Sequence, residues 1–114
     1  MAVSPGYSEA VQEIFAFIPE LRVKRMFGGA GVFTGDMMFA LIIGDELHLK
    51  TDEVTRSIFD AEGCTPWIYS RGGVDRDMSY SQAPEVIWDD PDEARRWADL
   101  AVSAAARKFK PKKR

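Results

Sequence analysis

The sequence predicts an α+β domain, an antiparallel sheet of five to six strands flanked by three helices, in the order α-β-β-β-β-α-β-β-α. Three observations carry that expectation. Apolar residues recur at helical spacing near both ends of the chain, short apolar segments separated by glycine or aspartate fill residues 22 to 50, and two further β-prone pieces surround Gly72-Gly73. Strands that follow one another through tight turns pair antiparallel, and helices grouped against such a sheet define the α+β class.

The elements follow in order. Tyr7, Val11, Ile14, Phe15 and Ile18 share one face of a first helix, and Pro19 stops it. From Arg22 to Lys50 the segments "VKRMF", "AGVF", "MMFALII" and "ELHLK" read as three or four strands of a meander. Gly35-Asp36 and Gly44-Asp45 supply the tight turns between them, because glycine accepts positive φ and aspartate tolerates it. Thr51 or Asp52 is placed to cap a second helix running to about Glu62, with Val54, Ile58, Phe59 and Ala61 available for its buried face. "PWIYS" and "DMSYS" form a second hairpin. Asp90-Pro91-Asp92-Glu93 opens the last helix with an N-cap acid, proline at its first position and a capping-box glutamate. Ala94, Trp97, Ala98, Ala101, Val102 and Ala105 trace its apolar stripe. The domain therefore spans residues 1–109, and the basic run of 110–114 offers nothing to bury and is expected to be disordered.

Length and charge narrow the function classes. A chain of 114 residues with a single cysteine needs no disulfide or metal to sustain a core, and it contains no secretory signal or long apolar run, so a cytoplasmic, non-membrane protein is expected. The net charge of −3 conceals a division. Arg107, Lys108, Lys110, Lys112, Lys113 and Arg114 are six of the 15 basic residues, which leaves nine against 18 acids and a formal −9 on the rest. Such a body repels a polyanion over most of its surface, so nucleic-acid contact would be confined to those six residues or to a local patch.

The glycine-rich segment "RMFGGAGVF" (25–33) invites comparison with a phosphate loop. A dinucleotide fingerprint requires a third glycine where Thr34 stands and a helix directly after it, and a P-loop requires Gly-Lys-Ser/Thr. Neither is present. Glycines within a strand mark instead a bulge, a bend or the close approach of another backbone. His48, the only histidine, shares the outward face of "ELHLK" with Glu46 and Lys50, which predicts a solvated ring. Cys64 has no charge partner in the sequence that would activate its thiol and reads as structural. Asp89, Asp90, Asp92 and Glu93 are explained by the start of a helix, without metal. Trp97 reads as core, while Trp67 and Tyr69 sit on one face of their strand. Arg25, beside the glycine bend, is expected to pair with an acid such as Asp77, the alternative being contact with a partner's anionic group.

With these residues laid out, the chain resembles the N-terminal domain of the TfoX/Sxy family of bacterial competence regulators. The matching pieces are "RMFGGAGVF", "MFAL" (38–41), "ELHLKTDE" (46–53), "GCTPWIY" (63–69), "MSYSQAPE" (78–85) and "DEARRWADLAVSAA" (92–105). Its signature falls on Arg25, Met26, Phe27, Gly28, Gly29, Gly31, Met78, Tyr80 and Trp97. The resemblance implies a central antiparallel sheet similar to secretion-chaperone-like folds and no established catalytic residues or cofactor. It further implies that longer members carry a second, helical domain. Their role in switching on competence genes, together with a cyclic-AMP receptor protein, belongs to the full-length form. The expectation is a stand-alone first domain.

The function expected on these grounds is a non-enzymatic regulatory or adaptor domain that binds another protein, in transcription regulation. Two alternatives stay open. One is a nucleic-acid-binding module using the basic tail with Arg71, Arg76 and Tyr69. The other is a small-ligand binder or enzyme centred on the glycine bend and His48. A homodimer is compatible with an exposed sheet face or edge.

Overall fold

The computed structural model describes residues 5–26 and 28–109. Helix α1 (Pro5–Ile14) leads into strands β1 (Leu21–Met26), β2 (Gly29–Thr34), β3 (Met37–Ile43) and β4 (Glu46–Lys50). Helix α2 (Arg56–Ala61), strands β5 (Pro66–Arg71) and β6 (Val74–Gln82), a 3-10 turn (Glu85–Trp88) and helix α3 (Pro91–Lys108) complete the order. All six strands belong to one antiparallel sheet ordered β1-β2-β3-β4-β6-β5. The 3-10 turn is the one element beyond the expected order.

The first four strands are a meander because their connections are too short for anything else. Gly44 and Asp45, with φ of 54° and 57°, place two consecutive left-handed residues between β3 and β4. That is the turn whose twist matches a hairpin, and it favours glycine followed by a small polar residue or the reverse.

Side chains alternate across a strand, so the sheet has two distinct faces. Ala30, Val32, Ala40, Ile42, Leu47 and Leu49 form one of them and join a single core with Val11 and Phe15 from the first helix and its following turn, Phe59 of α2 and Trp97 of α3. The rings of Phe15 and Phe39 meet at 5.6 Å and those of Phe59 and Trp97 at 5.0 Å, which ties the helical layer to that face. Phe39 reaches it through an irregularity in the β2–β3 register beside Val32 and Phe33. The helices thus form one layer, and among the described residues no helix covers the opposite face of the sheet.

Three local expectations are corrected. Helix α2 starts at Arg56 and not at residues 51 or 52. The Asp52 carboxylate accepts the backbone N–H groups of Val54 and Thr55, both at 3.1 Å, and the Asp52 N–H donates to Thr55 Oγ1. This reciprocal bonding closes a turn over residues 53–55 before any helix begins, and it leaves Val54 62% exposed. In α3, Asp90 caps as expected, accepting from the N–H groups of Asp92 and Glu93. Glu93 does not complete a capping box, since the Asp90 N–H already donates to the Val86 carbonyl. Its carboxylate takes the indole N–H of Trp97 at 3.1 Å instead. Ala104 is buried beside Ala101 and Ala105, while Val102 is only half-buried.

Candidate interaction surface

The open face of the sheet is built by the alternate residues of the same strands. Gly31 stands opposite Leu41, Leu41 opposite His48, and Lys50 opposite Tyr80, so these residues share that face. A Cβ placed on Gly31 would lie 2.7 Å from the Met38 sulfur and 2.9 Å from both the Met26 sulfur and Phe33 Cε1. Two thioethers and a ring therefore fold inward over a bare stretch of backbone. A Cβ on Gly29 would meet the Ile42 carbonyl oxygen at 2.4 Å, so this glycine is required by the approach of another strand. The strand runs through Gly29–Thr34, and no helix opens after the glycines.

The face has two chemically different halves. Over β2 and β3, and at Met26 of β1, it is apolar: Met26, Phe33, Met38, Leu41 and Ile43 are all half-buried, and none belongs to the core beneath the helices, while the other outward positions of β1 are the charged Arg22 and Lys24. Arg22 closes its rim, 5.4 Å from the centre of the Phe33 ring and hydrogen-bonded to the Gly35 carbonyl. Over β4, β6 and β5 the face becomes aromatic and cationic. Trp67 lies between His48 at 5.9 Å and Tyr80 at 6.4 Å, and the Lys50 ammonium sits 4.9 Å from the Tyr80 ring centre.

His48 is corrected by this arrangement. It was expected to be solvated but is only 7% exposed, because Trp67 closes over it; its Nδ1 has no partner among the described residues. Burial pulls its pKa below the ordinary histidine value, against a smaller opposing effect of Glu46, whose carboxylate is 3.8 Å away. Tyr80 is likewise buried, and burial pushes its phenol up to about 12. In both, burial disfavours the charged form. Cys64 lies in the core, where burial raises its thiol to about 11.

Other sequence candidates fall elsewhere. Trp97 is fully buried, as expected. Met78 is half-buried in β6. Arg25 is exposed on β1 and has no recorded partner among the described residues. Asp77, proposed as its acid, instead accepts from the Ser79 N–H and from Arg56 Nη1 at 2.6 Å. The competition is settled by topology: Arg56 and Asp77 belong to neighbouring elements, whereas Arg25 lies on the strand at the far edge of the sheet. Gly28 turns the chain with a φ of 77°. Phe27, Lys110, Lys112, Lys113 and Arg114 lie outside the described residues.

Arg107 and Lys108, grouped in the sequence with the tail, belong to α3 and have separate roles. Arg107 makes a two-point ion pair with Asp52, its Nη2 reaching Oδ1 at 3.1 Å. The guanidinium, followed by the Thr55 N–H and hydroxyl, holds the Asp52 carboxyl well below the usual range against the opposing effect of burial. Lys108 lines a cleft of about 440 Å³ with Lys50, Thr51, Asp52, Glu53, Arg56, Asp77 and Ser79. Sequence reading missed this cleft, whose two lysines, Lys50 and Lys108, lie 58 positions apart. Among the described residues, no group of three or more His, Cys, Asp or Glu is placed to hold a metal ion, and no helix is long and apolar enough to cross a membrane.

The profile of the TfoX N-terminal domain matches residues 13–105. The chain belongs to this family. The match runs from the end of α1 to the last buried alanines of α3, so it covers the entire sheet, α2 and most of α3, with most of α1 outside it. The glycine segment of the TfoX N-terminal domain lies in its first two strands, on the apolar half of the open face. No curated protein sequence matches the chain.

Proposed function

We propose that this TfoX N-terminal domain is a non-enzymatic regulatory domain that acts by binding another protein, in the control of transcription, through the apolar half of its open sheet face. The observation that carries the reading is a broken alternation. An antiparallel sheet with one face on a core normally turns polar residues outward. Here the outward positions of β2 and β3 hold Phe33, Met38, Leu41 and Ile43, joined by Met26 at the end of β1, whose other outward residues, Arg22 and Lys24, are charged. Contiguous apolar surface of that kind marks interaction sites, and methionine suits it because a flexible thioether adapts to the surface it meets. Gly31 supports the same reading by leaving room for two such side chains to lie flat.

A photo-crosslinking residue placed at Met38 in living cells tests this, with Asp99, exposed on the outer side of α3, as the control position. A discrete protein adduct from position 38 and none from position 99 is expected. Equal labelling from both positions, or no adduct from either, refutes the assignment.

A further inference from the structure

The hairpin of β5 and β6 extends past the rest of the sheet. Only Tyr80, Ser81 and Gln82 of β6 pair with β4, while residues 68–71 and 74–77 pair with each other alone and are exposed throughout. A two-stranded ribbon without a third strand is marginal by itself, so its base needs anchoring. Ser79, with a φ of 63°, lies where the pairing of β6 shifts, and the Arg56–Asp77 ion pair fastens the ribbon to α2.

The register divides this arm into two unlike faces. Tyr69 stands opposite Arg76 and Arg71 opposite Val74, which puts these four side chains on one side. Ile68 stands opposite Asp77 and Ser70 opposite Asp75, which puts both acids on the other. Those acids are engaged, Asp77 with Arg56 and Asp75 with the Ser70 hydroxyl. Arg71 and Arg76 have no acidic partner among the described residues. Trp67, two residues before Tyr69, belongs to the side of the two arginines, and its contact with Tyr80 joins that side to the open face of the sheet.

We infer that this side of the arm, with Lys50 and Lys108 at its base, binds a single-stranded nucleic acid. The track offers what such a ligand requires: aromatic rings for bases and cations for the phosphates between them. Tyr69 is 46% exposed, and Trp67 and Arg71 on the same side are separated by roughly 14 Å of strand. At the base, Lys50 and Lys108 line one cleft with Arg56 and the acids Asp52, Glu53 and Asp77; Arg107 occupies Asp52 and Arg56 occupies Asp77, which leaves the two lysines facing Glu53 alone. Burial, and then repulsion from Lys108, draws the Lys50 ammonium below its ordinary pKa against the opposing attraction of Asp52, and an anion between the two lysines offsets their repulsion. A duplex hides its base faces from Tyr69, and an acidic polypeptide makes no use of stacking rings. The single strand is the ligand whose chemistry uses both halves of the track.

The test is fluorescence anisotropy of the full chain with a labelled 15-nucleotide oligothymidine at about 50 mM salt. A duplex of equal length and poly-glutamate of equal charge are measured beside it. Binding is expected to favour the single strand over both, with a log-log salt slope of about −3 for four phosphate contacts. Tyr69→Ala should weaken it roughly ten-fold. R71Q together with R76Q should flatten the slope by about 1.4. These side chains are exposed, so circular dichroism should show an unchanged fold. No binding, binding no better than that of poly-glutamate, or binding indifferent to the three substitutions but lost on truncation after Phe109 overturns the inference. Because the crosslinking position Met38 lies on the other half of the face, failure here leaves the proposed protein contact standing, and the reverse holds equally.

Discussion

Alanine at Gly29 and alanine at Gly31 should differ sharply in cost, although both glycines are in one strand, two residues apart. At Gly29 the new carbon would stand 2.4 Å from the Ile42 carbonyl oxygen. Close carbon–oxygen contacts between strands settle at about 3.3–3.6 Å, so β2 and β3 must separate locally by roughly 1 Å. That lengthens neighbouring ladder hydrogen bonds beyond useful range, and losing two of them costs about 1–3 kcal/mol. Overpacking strain adds about 1–3 kcal/mol, while the stiffer unfolded chain returns about 0.4–1 kcal/mol. The net loss is roughly 1–6 kcal/mol, and each kcal/mol lowers the midpoint of thermal unfolding by about 4–8 °C in a domain of this size. At Gly31 the obstacles are the sulfur atoms of Met26 and Met38 and one edge of Phe33, all on a half-exposed face. Rotating those side chains outward removes the clash without moving backbone, so the net change should stay within about 1 kcal/mol. Thermal unfolding followed by far-ultraviolet circular dichroism measures both. A Gly29→Ala variant as stable as the wild type, or a Gly31→Ala variant that is the worse of the two, would refute the account of why these glycines are present.

Further outcomes follow from the buried polar groups and the core. Because burial lowers the folded-state pKa of His48, stability should be complete above the ordinary histidine pKa of about 6.5 and decline as pH falls below it. His48→Gln should flatten that part of a thermal-midpoint-against-pH profile, and an unaltered profile would contradict the burial described. Asp52 follows the same rule in a lower window. Its depressed carboxyl contributes stability above about pH 3.9 that is lost on further acidification, and D52N combined with R107Q should destabilise by less than the two single changes summed. Trp97→Ala should cost about 3–5 kcal/mol in denaturant unfolding, as expected when a fully buried indole is removed from a core. The Cys64 thiol, raised to about 11, should react with iodoacetamide at pH 8 only at the rate of unfolding, and rapid labelling of the native protein would show the site to be open.

Most of the architecture was legible because it depends on local rules. The glycine-aspartate turns and the Asp90-Pro91 start of α3 act over a few residues and fall where the sequence places them, whereas α1 ends at Ile14, before the Pro19 expected to stop it, and Phe15 and Ile18 reach the core from the turn that follows. Helix α2 was misplaced because Asp52 had two uses, as a helix cap or as the centre of a turn, and its ion pair with Arg107, 55 positions away, accompanies the second. His48 was misread for a related reason. Period 2 correctly placed it with Glu46 and Lys50, but whether that face is wet depends on Trp67, which arrives from the edge strand.

The functional surface was legible only in pieces. The glycine segment could be assigned to strand packing because the chemistry of a phosphate loop needs residues that are missing. That Met26, Phe33 and Met38 converge over Gly31 depends on strand register, including the irregularity beside Val32, which no pattern of spacing reveals. The same holds for Arg71 and Arg76. As isolated basic residues they carry little meaning, and their position on one side of an arm whose acids occupy the other follows from the pairing of β5 with β6.

By itself, the sequence determined which segments become helices and strands, and in what order, since backbone preference and the period of apolar residues are properties of neighbours along the chain. Tertiary structure alone decided that the helices form a single layer, that the second face of the sheet holds both an apolar and a cationic half, and which charges are already paired. Burial and pairing are set by residues distant in the sequence, and only folding brings those together.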